Sequence, residues 1–203
     1  MKKVLFIIAI TLVLVLSLTA CIAVDNVYND LNNMAEKGYS KIDLTIATQT
    51  EGVTLTDTIN FLFDTTSGEI DKNNGNATYK TQRLGKYQVV DGVLVAPENY
   101  IVEKEGSATV KDGKVITQEG EEIYSGVNGL GLNFKKSYFV EINKSEGLFE
   151  AKVINPEGLF GAEDMDAVNM SIKVAYSGKN FNRIQISYST FEGTKVTLNY
   201  NFQ

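Results

Sequence analysis

Few residues in this sequence can do nucleophilic or metal-binding chemistry. It holds one cysteine, Cys21, and neither histidine nor tryptophan. Without histidine, neither a Ser–His–Asp nor a Cys–His arrangement can be assembled. A single cysteine permits no internal disulfide and no thiolate zinc site. Carboxylates, lysine, tyrosine and serine remain. Glu163, Asp164 and Asp166, beside Glu157, are the densest acidic group. Holding calcium or magnesium would require several of their oxygens to converge, whereas a short acidic run before a strand reads as a solvated loop. Asp71-Lys72-Asn73-Asn74-Gly75-Asn76 has the composition of a calcium loop, but its glycine is one place early and no Glu closes it, so it reads as a turn. Asn76-Ala77-Thr78, Asn143-Lys144-Ser145 and Asn169-Met170-Ser171 fit the glycosylation triplet, which an Asn-rich chain produces by chance. Gly126, Gly129 and Gly131 lack the strand before and helix after that a phosphate loop needs. No two carboxylates are singled out by spacing for glycoside hydrolysis. These residues point to a protein that is not an enzyme and takes no metal or cofactor.

The position of Cys21 says more. Lys2 and Lys3 open the chain, an apolar run from Val4 to Leu16 is broken only by Thr11, and Ser17-Leu18-Thr19-Ala20-Cys21 follows. This is the layout of a secretory signal peptide with a small-residue cleavage region. Leu18-Thr19-Ala20-Cys21 resembles the lipobox of bacterial lipoproteins. That resemblance, which covers about the first tenth of the chain, implies a diacylglyceryl thioether on Cys21, cleavage before it, and fatty acyl chains such as palmitate as the membrane anchor. A thiolate suits such alkylation, and two or three acyl chains hold where one is marginal. Residues 1–20 are then a lipoprotein signal peptide and 21–203 a single extracytoplasmic β-rich domain at the cell membrane. The uncharged stretch Val4–Val24 is also long enough for a transmembrane helix, and Ile22-Ala23-Val24 departs from the small or polar residues common after a lipobox. Both readings leave Lys2 and Lys3 inside and Asp25 onward outside.

The whole chain carries a net charge of −6; with Lys2 and Lys3 in the leader, the remainder carries −8. Such a surface repels nucleic-acid phosphates and anionic head groups, so nucleic-acid binding is set aside. Its composition, 43% hydrophobic, suits one domain with a real core.

The elements follow from periodicity. Asp25 to Lys37 reads as a helix, with Asp25 as cap, Val27, Leu31 and Met34 on one face and Gly38 at its end. Ile42, Leu44 and Ile46 then alternate with polar or small residues. A turn at Glu51-Gly52 sets Leu44 opposite Ile59 and Ile42 opposite Phe61. Asp91-Gly92 and Asp112-Gly113 are further hairpin turns, the second between Val110 and Val115. Residues 133–143 and 157–166 read as irregular, with room for short helices. At the end, Val168 to Tyr176, Ile184 to Tyr188 and Val196 to Phe202 alternate with period two. A loop at Phe191-Glu192-Gly193 pairs Tyr188 with Val196 and Ile186 with Leu198; a loop centred on Lys179 pairs Val174 with Ile184 and Ile172 with Ile186.

One apolar face per strand predicts a sheet covered on one side only. The expected class is α+β: a mostly antiparallel, curved sheet, a half-barrel or incomplete barrel, with an N-terminal helix and one or two short helices in its concavity. This layout is similar to the half-barrel carriers of lipids and lipoproteins in bacterial envelopes. The similarity implies a lipid or other apolar ligand on the concave face, lined by Met170, Ile172, Val174, Ile186, Tyr188, Leu198 and Tyr200. The alternative is that the same residues form a packed core in an interaction lipoprotein recognised by an envelope partner.

Overall fold

The computed structural model describes residues 26–37, 39–50, 53–64, 71–84, 88–95, 99–112, 114–125 and 132–203. Helix α1 spans 26–36 and buries Val27, Tyr28, Leu31, Met34 and Ala35. These residues recur at three- and four-residue steps, so they fall on one stripe. Asn32 ties the helix to a later segment: its Nδ2 donates to the Phe134 carbonyl at 2.9 Å, and the Phe134 N–H donates to its Oδ1 at 2.7 Å. The expected cap Asp25 and terminator Gly38 lie outside the described residues.

Among the described residues thirteen strands follow: β1 (Lys41–Thr50), β2 (Val53–Asp64), β3 (Asp71–Leu84), β4 (Gln88–Val90), β5 (Val93–Val95), β6 (Tyr100–Lys111), β7 (Lys114–Thr117), β8 (Glu122–Ser125), β9 (Phe139–Ser145), β10 (Leu148–Val153), β11 (Val168–Ser177), β12 (Asn180–Ser189) and β13 (Lys195–Phe202). Eleven of them form one antiparallel sheet in the order β8-β7-β6-β3-β2-β1-β13-β12-β11-β10-β9, and β4 and β5 pair as a separate hairpin. The last strand in sequence, β13, lies in the middle between β1 and β12. Among the described residues β8 and β9 each have one neighbour, so the sheet is not closed.

The expected registers are present. Ile42 faces Phe61 and Leu44 faces Ile59; Tyr188 faces Val196 and Ile186 faces Leu198; Val174 faces Ile184 and Ile172 faces Ile186. Each slip of one residue would turn a strand inside out, so the buried faces fix the pairing. The turn residues agree: Asp91, Gly92 and Asp112 take positive φ, as does Gly193 at φ +87°, the conformation such hairpin loops require.

Three expectations need correction. The fold is more nearly all-β than α+β: beyond α1, the helices among the described residues are a 3-10 turn at Lys136–Tyr138 and the five-residue α2 (Pro156–Phe160), which Asn155 caps by accepting from the Gly158 N–H at 2.8 Å. Residues 71–76 open the long strand β3 rather than a turn. The segment 133–143 contains most of β9. Both strands escape a pattern search for physical reasons. The inward positions of β3 include Gly75, Ala77, Tyr79 and Thr81, too small or polar to give an apolar rhythm; pairing to β2 and β6 holds the strand in place. Strand β9 is a sheet edge and buries only Phe139.

The core is continuous and aromatic at its centre. Tyr28 stacks on Phe139 and meets Phe149 edge-on, each at 5.9 Å between ring centres, and Tyr39 contacts Phe202 at 4.6 Å. Such pairs contribute about 0.5–1.5 kcal/mol each beyond burial.

Candidate ligand recess

The residues expected to line a cavity lie together on the inner face, in the same apolar core as α1. Met170, Ile172, Val174, Ile186, Leu198 and Tyr200 are buried and Tyr188 is half-buried. Cys21 lies outside the described residues.

A recess exists elsewhere, in the half of the sheet built from the earlier strands. It has a volume of about 290 Å³, opens to solvent, and is lined by Ile46, Ile59, Tyr79, Lys80, Thr81, Lys104, Glu121, Glu122 and Ile123. Strand alternation positions these groups. Leu44, Ile59 and Tyr79 follow one another across β1, β2 and β3, and Gly106 continues the row on β6. Leu44 is fully buried, Ile59 and Tyr79 nearly so. One step along the strands the row turns polar, with Thr81 opposite Lys104. The inner face thus grades from apolar floor to charged mouth.

Gly106 lets this row close. A Cβ built on it would lie 3.0 Å from the Tyr79 hydroxyl and 3.2 Å from its Cζ. With no side chain opposite, the phenol ring lies across the strand and walls the recess.

The mouth carries paired charges. Lys104 Nζ bonds to Glu121 Oε2, and Lys114 Nζ donates to Glu122 Oε2 at 2.7 Å. On the opposite face of the strand, Lys80 lies 3.4 Å from Glu105. The hydrogen bond that Lys104 donates to Glu121 holds its ammonium above the ordinary pKa, against desolvation by burial; the bond that Lys114 donates to Glu122 does the same there. The turn before β8 is fixed by Thr117, whose hydroxyl accepts from the Glu121 N–H at 3.1 Å and whose own N–H donates to the Glu121 carbonyl at 2.8 Å. The backbone that carries Glu121 is therefore held by two hydrogen bonds.

Sequence reasoning missed this site. Tyr79, Lys104 and Glu121 are scattered through the chain and share no motif; only the β3–β6 register brings Tyr79 and Gly106 together. The acidic group around Asp164 does not converge: among the described residues no three acidic or metal-binding side chains are grouped to hold a metal. Asp166 instead accepts from the Phe191 N–H at 2.6 Å and fastens the loop between β12 and β13. The glycines 126, 129 and 131 lie outside the described residues. Asn76, Asn143 and Asn169 all lie in strands.

Searches against protein-family models and curated proteins give no match. Solved structures with a similar course of chain include a de novo designed fluorescence-activating β barrel (9% identity, TM-score 0.24, covering 84% of this chain and 98% of the other). Another is an S-type phycobiliprotein lyase from Guillardia theta (8% identity, TM-score 0.24, covering 89% and 92%). At these scores the likeness carries no argument about function.

Proposed function

We propose that the chain is a lipid-anchored lipoprotein on the extracytoplasmic side of a bacterial cell membrane, and that its curved sheet holds a small apolar or amphiphilic ligand. It works as a binding module, not an enzyme. The observation that carries the ligand reading is the recess itself: an apolar floor of Ile46, Ile59 and Tyr79 open to solvent at a charged mouth. Ligand clefts begin at about 300 Å³, and this one is lined by polar and apolar groups in about equal share. A recess of about 290 Å³ takes one short chain or one ring system. The anchor reading rests on Leu18-Thr19-Ala20-Cys21. From Cys21 to the start of α1 the chain can span at most about 18 Å, so an anchored domain sits against the bilayer.

A second reading keeps the anchor but gives the domain an envelope protein partner and no ligand. The packing of Met170, Ile172, Val174 and Leu198 into one core favours it.

Two measurements test these statements. Cys21→Ser should abolish incorporation of labelled fatty acid and leave an unprocessed precursor. A wild-type protein that retains residues 1–20 in the membrane fraction rejects the lipoprotein and leaves a transmembrane anchor. Native mass spectrometry of protein from its own host should show a small bound amphiphile. Repeated recovery of the bare chain favours the partner reading.

A further inference from the structure

From the charge arrangement at the mouth we infer that the ligand is a single-chain zwitterionic amphiphile, its tail on Ile46, Ile59 and Ile123 and its head exchanged into the Lys104–Glu121 pair. This rests on the ligand reading of the recess above and adds the chemistry of the head group. The tail follows from volume: about 290 Å³ takes one short chain.

The head follows from pairing. Among the described residues, the Lys104 ammonium at the mouth is already bonded to the Glu121 carboxylate. An anionic head entering here would bind a lysine and leave its glutamate unpaired. A cationic head would do the reverse. A head carrying both charges can open the Lys104–Glu121 pair and satisfy each member, so no charge is left over beside an apolar floor. A neutral head leaves the pair closed and gains nothing from it. Lys104 and Glu121 are each about half exposed, so they can part without dismantling the sheet, and the Thr117 turn keeps Glu121 in position as they do.

The test uses the full chain in phosphatidylcholine nanodiscs with isoleucine methyls labelled for NMR. Four sub-micellar probes share one tail and differ in head: decylphosphocholine, decanoate, decyltrimethylammonium and decanol. Methyl shifts of Ile46, Ile59 and Ile123 report binding, and those of the buried Ile172 and Ile186 report folding. Decylphosphocholine should bind about tenfold tighter than either singly charged probe, a difference of about 1.4 kcal/mol. Lys104→Met, which leaves Glu121 without its lysine, should make decyltrimethylammonium the tightest of the four. Glu121→Gln should favour decanoate instead. Binding of all four with equal affinity, or a preference unmoved by both substitutions, overturns the zwitterion and leaves the recess standing. Absence of any shift at Ile46, Ile59 and Ile123 with all four overturns the recess as well.

Discussion

The hydroxyl of Tyr39 is bound on both sides. It donates to the Met34 carbonyl at the end of α1 at 3.2 Å and accepts from the Phe181 N–H at 3.0 Å. One buried side chain thus joins the helix to β12. Tyr39→Phe keeps the ring on Phe202 but leaves the Phe181 N–H without its acceptor, so stability should fall by about 1–2 kcal/mol at neutral pH. Burial raises the Tyr39 pKa above its ordinary value of 10.0. The folded state therefore holds this proton when the unfolded chain has released it. The contribution is full below pH 10.0 and is lost as pH rises beyond that value toward the folded pKa. Chemical denaturation at pH 7 and above pH 10 should show the gap between wild type and variant narrowing in alkali; a constant gap would place the ionisation elsewhere. The two faces of β13 give a second contrast. Leu198 is buried, while Asn199 Oδ1 on the other face accepts from Arg183 and Gln185 at 3.0 Å each. Leu198→Asp buries an unpaired charge and should cost about 3 kcal/mol or more. Asn199→Asp keeps both acceptor contacts and gains attraction to Arg183, so it should change stability by no more than about 0.5 kcal/mol. Equal losses in thermal melts would reverse the assignment of faces.

Strands differ in how much of themselves they disclose. In β11, β12 and β13 one face is buried by large apolar side chains, so period two appears directly in the sequence and fixes register through both loops. In β1 the buried Ile42 and Leu44 do the same, and Leu44 opposite Ile59 could be read from spacing alone. Strand β3 is silent because its inward face is built for a different purpose. It uses Gly75, Ala77 and Thr81 around one aromatic, Tyr79, and the matching face of β6 uses Gly106 and Ala108. The Tyr79 ring fills the space opposite Gly106, and the recess beside it is lined from β1, β2, β3, β6 and the segment around Glu121. The site was therefore illegible in the sequence: its lining residues are far apart in the chain and only the register of the strands brings them together. Gly106→Ala tests the part played by Tyr79. The new methyl meets only the far end of a side chain, so the fold should survive with a stability change of about 1 kcal/mol or less. Tyr79 must give way toward the recess, so affinity for decylphosphocholine should drop several-fold. Unchanged affinity, with shifts at the Ile46 and Ile59 methyls like those of wild type, would remove Tyr79 from the wall.

At the scale of the whole molecule the decisive feature is the position of β13. The earlier strands form one run, β8-β7-β6-β3-β2-β1, and the later strands another, β12-β11-β10-β9; only β13 pairs with both. The final residue is tied in as well. The Gln203 N–H donates to the Lys41 carbonyl at 3.1 Å, and the Gln203 carbonyl accepts from the Ser40 hydroxyl at 2.9 Å. The pairing of β1 with β13 is the longest-range contact in the sheet, and such contacts form slowly because loop closure comes before any gain from pairing. Deleting Lys195–Gln203 removes Val196, Leu198, Tyr200 and Phe202 from the core. At about 1.5–3 kcal/mol for each buried apolar side chain, the loss is about 6–12 kcal/mol, comparable with the whole stability of a domain. It also leaves β1 and β12 as bare edges facing each other, open to pairing with other chains. The truncated chain should therefore show no cooperative melt and should aggregate. The hairpin β4–β5 supplies the control. Its strands pair only with each other, and Val93 is 63% exposed, so Val93→Ser should move stability by no more than about 0.5 kcal/mol. If the truncated chain instead melts cooperatively within a few degrees of wild type, the two halves of the sheet do not depend on β13, and each must be stable by itself.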